Sequence, residues 1–317
     1  MSAIDPKSSE ILLLSGTGNR PLAESIAREL GGVLCDVTVE PFADGEIFVR
    51  INENVRGRDT FIVQPTGPPA ENIIELLLLI DAAKRASAAR VTAVVPYFGY
   101  ARQDRKDQPR VAIGAKLMAN MITHAGADRL VSVDFHQHQV QAFFDIPVDH
   151  LYALPVFVEH YKERDLDPLV VVASDVGAAK MARGYARRLG GEIAMIDKRR
   201  PAPNVAEVVN VVGDVQGKNC LIPDDMIDTG GTIAEAVKAL KTQGAAKVYV
   251  NATHGLLSGS AVSTLAEAPL DEIAVTDTIY LPEQKQWPAL RILSVAPLLA
   301  SAIRNIHDNT SVSILFE

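Results

Sequence analysis

The stretch "PDDMIDTGGT", from Pro223 to Thr232, places three aspartates within five positions and then turns small, hydroxylic and glycine-rich. Such a run is poor as a strand and poor as a helix interior. The apolar "NCLI" before it reads as a strand ending at Asp224 and Asp225. The "TIAEAVKALKTQG" after it reads as a helix, with Ile233, Ala236, Val237 and Leu240 on one face and Gly244 as its stop. "DTGGT" is then the turn that opens the helix. Its free backbone N–H groups and the helix dipole favour an anion, and phosphate fits best. Gly230 and Gly231 let the backbone approach closely, and Thr229 and Thr232 add hydroxyl donors. Carboxylates beside a phosphate cradle suit a sugar phosphate: the phosphate meets the N–H groups, and Asp224, Asp225 and Asp228 accept from sugar hydroxyls. The same acids can hold Mg²⁺, directly or through water. A plain helix cap at Asp228 or Thr229 needs one such residue and not the whole series.

Two further clusters could carry chemistry. Lys198, Arg199 and Arg200 crowd into the Pro-flanked "DKRRPAP", a poor helix or strand, and supply local positive charge. Standing alone, such a run reads first as solvated surface. "SVDFHQHQV" puts His136 and His138 at i and i+2, on one side of an extended chain. An H-x-H pair also occurs at zinc centres, but those need further ligands on later strands, and the strand–helix count of an eight-fold barrel does not appear. "GTGNRP" begins like a dinucleotide fingerprint, but Pro21 stands in place of the third glycine.

The elements that must position these residues repeat. "ILLLSGTGNRPLAESIARELGG" from Ile11 and "VVVASDVGAAKMARGYARRLGG" from Val170 match at Ser15 and Ser174, Gly18 and Gly177, Ala27 and Ala186, and in their closing glycine pairs. Each reads as strand, small-residue turn, amphipathic helix and glycine stop. A second pair follows, from Gly57 and from Gly217, each giving strand, loop, helix and strand. The pattern predicts two tandem α/β domains, residues 1–152 and 153–317, each a mainly parallel sheet flanked by helices. The final "SVSILFE" reads as a strand that packs on either domain. Where the second copy has "DDMIDTGGT", the first has "QPTGPPAEN". The acids are absent there, so the fold alone does not require them.

Composition sets the frame. The 317 residues are enough for two cores, and 48% apolar with 22% charged residues is typical of a soluble globular chain. A net charge of −8 argues against broad binding to nucleic acid or an anionic membrane. Cys35 and Cys220 form neither a metal spacing nor a disulfide framework and read as reduced core residues. The polar N-terminus lacks a signal-peptide pattern, and "IIELLLLIDAA" is too short to span a bilayer, so a cytoplasmic location is expected.

"LIPDDMIDTGGT" resembles the phosphoribosyl-diphosphate (PRPP) loop of type I phosphoribosyltransferases and ribose-phosphate diphosphokinases. "FADGEIFVRINENVRGRD", "PYFGYARQDRK", "DFHQHQVQAFFDIPVDHLY", "IDKRRPAPN" and "SVAPLLASAIRNIH" resemble the diphosphokinase family, in order and over nearly the whole chain. The resemblance implies two tandem type I phosphoribosyltransferase-like domains and transfer of a diphosphoryl group from ATP to ribose 5-phosphate. It implies that Asp224, Asp225 and the run Asp228, Thr229, Gly230, Gly231 and Thr232 hold ribose 5-phosphate. Lys198 and Arg200 would stabilise the transferring group, with Arg200 also at the ribose phosphate. His136 and Asp175 fall at magnesium positions, His136 also at the triphosphate. Arg102 and Gln103 would contact ATP. Phe42, Asp44, Gly45 and Glu46 would form an adenine side lent by a neighbouring subunit of a homo-oligomer, usually a hexamer. No "GxxxxGK[ST]" is present, so ATP binds without a Walker loop. The chain departs from the family pattern at Ala112, His138, Ala142, Val176 and Pro223. Two other readings are a non-catalytic regulatory relative and a phosphoribosyltransferase or PRPP-binding sensor; a sensor has no reason to keep "FADGE" and "YARQD".

Overall fold

The computed structural model describes the backbone of residues 11–199 and 208–316. The chain forms two compact units. One takes Met1–Tyr152, Thr278–Tyr280 and Ser294–Glu317; the other takes Ala153–Asp277 and Leu281–Leu293.

In the first unit, β1 (Ile11–Ser15) leads into α1 (Arg20–Glu29), whose start is capped by the Asn19 side chain accepting from Leu22 N–H. An antiparallel hairpin follows, β2 (Val37–Pro41) with β3 (Ile47–Ile51). Then come β4 (Asp59–Val63), α2 (Glu71–Arg85), β5 (Arg90–Val95), α3 (Gly114–Ala125), β6 (Arg129–Val133) and β7 (Val148–Leu151). The five longer-range strands form one parallel sheet in the order β1-β4-β5-β6-β7. "DTFIV" of β4 is buried throughout, as a central strand covered on both faces must be.

The second unit holds α4 (Leu154–Lys162), β8 (Leu169–Ala173), α5 (Ala179–Leu189), β9 (Glu192–Arg199), β10 (Val208–Val212), β11 (Asn219–Ile227), α6 (Gly231–Thr242), β12 (Lys247–Gly255), α7 (Ala261–Ala266), β13 (Glu272–Thr276) and β14 (Leu290–Leu293). Its sheet runs β10-β9-β8-β11-β12-β13-β14, with β10 antiparallel to β9 and the other neighbours parallel. The series β8-β11-β12-β13-β14 reproduces β1-β4-β5-β6-β7, and a two-stranded antiparallel pair precedes β4 and β11 alike. The duplication read from the sequence is thus present in the topology. Ile222, Val250 and Ile273 of the sheet pack with Ile233, Val237 and Leu240 of α6 in one apolar cluster.

The last long helix, α8 (Ala296–His307), belongs to the first unit. It buries Leu299, Ile303 and Ile306. Its end is tied to a fully buried carboxylate: Asp59 accepts from Arg90 Nε at 2.8 Å and lies 2.8 Å from His307 Nδ1, while Arg90 Nη2 donates to the Ile306 carbonyl. The "SVSILFE" tail is not a strand. Ser313–Phe316 forms a 3₁₀ turn, within the first unit. Cys35 and Cys220 are buried free thiols, and burial pushes them up to about 12 and about 11. Among the described residues, no helix is long and apolar enough to cross a membrane.

Candidate active site

The acid-rich segment lies at the carboxyl end of the second sheet, where open α/β sheets bind ligands. β11 does not stop at the acid pair; it continues to Ile227, because β12 pairs with it along its length. Its other neighbour does not. Pairing with β8 ends at Leu221 opposite Val171. Asn219 N–H donates to the Pro168 carbonyl, so odd-numbered residues of β11 aim their N–H groups at β8. At Pro223 there is no N–H to give. Asp225, next in that parity, donates its N–H to Asp224 Oδ1 at 2.8 Å. The acid pair therefore sits where β8 and β11 part.

Asp224 is pushed up to about 8, first by burial, then by repulsion from Asp225, with Asp175 adding to it. Asp175 follows β8 in the turn before α5 and accepts Ala178 N–H at 2.8 Å. Three carboxylates thus share one end of the sheet. Among the described residues, no three His, Cys, Asp or Glu side chains are gathered tightly enough to form a metal cage.

Asp228 and Thr229 make the turn after β11. Gly230 is the cap residue of α6, with φ of +76°, and no side chain caps the helix. A Cβ at Gly230 would also lie 2.9 Å from Leu265 of α7. Glycine is required there on both counts. The cap site is therefore glycine and not Asp228 or Thr229, and it offers no side-chain acceptor to the first-turn N–H groups. That is the geometry of a phosphate cradle. Thr229 and Thr232 are exposed beside it.

Sequence reasoning missed the support beneath this turn. Leu256 and Leu257 both donate N–H to the Ile227 carbonyl, at 2.9 and 3.1 Å, and Ser258 donates to the Asp228 carbonyl at 2.9 Å. "GLLSG" carries no side-chain chemistry that would announce this role; its work is done by the backbone.

In the first unit a cavity of about 410 Å³ brings together Arg102, Gln103 and His136, with Asp104, Val111 and Ala112 in its wall. Arg102, Gln103 and His136, the ATP residues expected in this half, are thus neighbours. His136 and His138 are not an extended pair: His136 lies in a bend and His138 opens a short 3₁₀ turn, His138–Phe143. Phe42, Asp44, Gly45 and Glu46 do not line the cavity. They form the exposed tip of the β2–β3 hairpin, closed by Phe42 N–H to the Glu46 carbonyl and by Gly45 at φ +93°. Phe42 is 54% exposed, its ring resting on Phe48 at 5.5 Å.

The basic run also differs from expectation. Lys198 is not in a loop; its backbone pairs with Val209 in the β9–β10 ladder, because the β-branched "VVNVV" of β10 supplies an antiparallel partner. The Lys198 side chain and all of Arg200 lie outside the described residues. Of the two residues at magnesium positions, His136 belongs to the first unit and Asp175 to the second.

A parallel sheet duplicated in tandem, with an acid-rich turn feeding an uncapped helix, defines a phosphoribosyltransferase-like α/β protein. The family model for the N-terminal domain of ribose phosphate pyrophosphokinase matches residues 11–126, and that for the phosphoribosyl synthetase-associated domain matches residues 198–317. The ribose-phosphate pyrophosphokinase of Chlorobaculum tepidum is 52% identical over 97% of this chain and 95% of its own length. That of Listeria ivanovii is 51% identical over 99% and 98%. A phosphoribosylpyrophosphate synthetase from Mycobacterium smegmatis superposes with a TM-score of 0.90 at 45% identity, over 95% of this chain and 100% of that one. The chain belongs to the ribose-phosphate pyrophosphokinase family, and it is an enzyme of that class.

Proposed function

We propose that the chain joins ATP to ribose 5-phosphate: the anomeric hydroxyl attacks the β-phosphorus of ATP, and AMP leaves. The observation that carries this reading is the uncapped start of α6 directly behind the acid pair. A phosphate on the N–H groups of Gly230–Thr232 leaves the sugar hydroxyls within the field of Asp224, Asp225 and Asp228. The first unit takes ATP through Arg102, Gln103 and His136, and the second takes ribose 5-phosphate.

Diphosphoryl transfer needs positioning and charge more than covalent chemistry. Lys198 and Arg200 are assigned to the oxygens of the transferring group. The carboxylates Asp175, Asp224 and Asp225 offer hard oxygens, and their mutual repulsion at Asp224 is the kind that a divalent cation relieves. With no closed protein cage among the described residues, the donor set fits Mg²⁺, which keeps waters and takes substrate phosphate oxygens. His136 and Asp175 are the residues assigned to hold it. When bound, it would neutralise charge on the triphosphate. The exposed "FADGE" tip is assigned to the adenine of a neighbouring subunit, which makes the working form a homo-oligomer, a hexamer by family resemblance. We assign it to the cytoplasm.

The test is AMP formation from ATP, measured with and without ribose 5-phosphate. AMP released in equal amount with PRPP, and only when ribose 5-phosphate is present, is the expected result. PRPP binding without any ATP-dependent turnover would point instead to a regulatory relative or a sensor.

A further inference from the structure

The turn that cradles phosphate has no side-chain cap, so something else must hold it in place. Its carbonyls supply the answer. Ile227 and Asp228 are the residues that enter the turn, and their C=O groups accept three consecutive N–H groups, from Leu256, Leu257 and Ser258. Those three come from the segment after β12. For its N–H groups to converge, the backbone of that segment has to bend sharply, and Leu257 does so at φ +48°, a left-handed conformation that a leucine adopts at a cost. The Leu257 side chain is fully buried in the apolar cluster under α6. Burial holds a bend that local preference opposes.

One group fastens this segment from the far side. Lys285 Nζ donates to the Leu256 carbonyl at 3.0 Å. Lys285 closes the short 3₁₀ turn Glu283–Lys285, which starts after Pro282 and is set by Lys285 N–H to the Pro282 carbonyl. The lysine is half-buried. Its bond also polarises the peptide whose N–H belongs to Leu257, strengthening that donor toward Ile227. The chain of contacts is therefore continuous: Lys285, the 256–257 peptide, the Ile227 and Asp228 carbonyls, and the mouth of the cradle. All of it lies in the second unit.

We propose that Lys285 is a positioning residue for the ribose-phosphate turn, acting through the backbone of Leu256–Ser258 and touching no substrate. The proposal rests on the assignment of Asp228–Thr232 to ribose 5-phosphate. A loosened brace lets the turn sample geometries that bind phosphate poorly, while the ATP residues of the first unit are untouched.

The test uses the full-length protein. Lys285→Met keeps an unbranched side chain, one atom shorter, and removes the donor; Lys285→Arg restores a donor. Without substrates, amide hydrogen exchange at Leu257 and Ser258 should be faster in Lys285→Met than in the parent by about tenfold, and near the parent rate in Lys285→Arg. In turnover, Lys285→Met should raise KM for ribose 5-phosphate about three- to tenfold and leave KM for ATP unchanged, with Lys285→Arg restoring the parent value. Exchange that is unchanged at both amides overturns the brace. Faster exchange with an unchanged KM for ribose 5-phosphate, or an equal rise in both KM values, overturns its link to the turn. If the parent enzyme itself shows no turnover dependent on ribose 5-phosphate, the functional assignment fails instead, and the exchange result still decides the brace.

Discussion

Asp224 makes stability depend on pH in a direction opposite to most acids. In the folded protein without ligands its proton is held up to about 8, by burial and then by Asp225 and Asp175. In the unfolded chain an aspartate titrates near about 3.9. Between those values the folded state carries the proton and the unfolded state has lost it, so stability falls as pH rises and the loss is complete above about 8. At about 1.36 kcal/mol per pH unit, the ceiling is about 5–6 kcal/mol. The site is half-buried and water reaches it, and the proton is contested by three carboxylates. We therefore expect about 2 kcal/mol. Asp224→Asn keeps the shape and removes the titration. Urea denaturation without substrate or divalent cation should give nearly equal stability for parent and variant near about pH 4, with the variant ahead by about 2 kcal/mol at about pH 8.5. Saturating magnesium and ribose 5-phosphate should cancel that advantage, because only the parent can give the ionised group a partner. The same pH profile for both proteins would refute the reasoning.

Three other outcomes are expected. Asp228→Asn should weaken ribose 5-phosphate binding by about 1.5–3 kcal/mol with the fold intact, read as a raised KM; unchanged KM and turnover would remove Asp228 from the site. Lys198→Ala should lower turnover about 10²–10³-fold with little change in KM for ATP; an effect confined to that KM would place the lysine in ground-state binding. An Asp44/Glu46 double variant mixed with a Lys198 variant should regain activity in mixed oligomers, since some interfaces then hold an intact site; no recovery in demonstrated mixtures would show that each site is built from one chain.

Much of this architecture was legible in the sequence. The repeated strand–turn–helix units are set by apolar runs and glycine stops, which are local signals, and both copies appear with the same strand order. The acidic turn was equally legible, because side-chain type and helix position together define it. Other features depend on partners distant in sequence. Nothing in "DKRR" announces that β10 will pair with Lys198 and Arg199; the ladder is completed by residues 208–212. The length of β11 past its acids depends on β12. The support from Leu256–Ser258 is made by backbone groups, which every residue owns, so side-chain pattern is blind to it.

The first copy, which lacks the acids, places a self-paired polar cluster at the end of its sheet. The turn after β1 is closed by the chain itself. Glu75 of α2, almost fully buried, accepts Thr17 N–H at 2.8 Å and the Thr17 hydroxyl at 2.6 Å. Gln64, directly after β4, accepts Gly18 N–H at 3.0 Å and donates to Glu75 Oε2 at 2.9 Å. Asn72 donates to the Gly67 carbonyl at 2.9 Å. A Cβ on Gly16 would lie 2.5 Å from Gln64 Oε1, so the two turns are sewn together with no room to spare. In the second copy, the turn after β8 keeps Asp175 exposed, while the starts of α2 and α6 alike carry no side-chain cap. The same fold has thus been finished in two ways. One copy closes the turn after its first strand with the buried Glu75 and Gln64. The other carries at the corresponding end of its sheet a half-buried acid whose charge is costly until a ligand arrives.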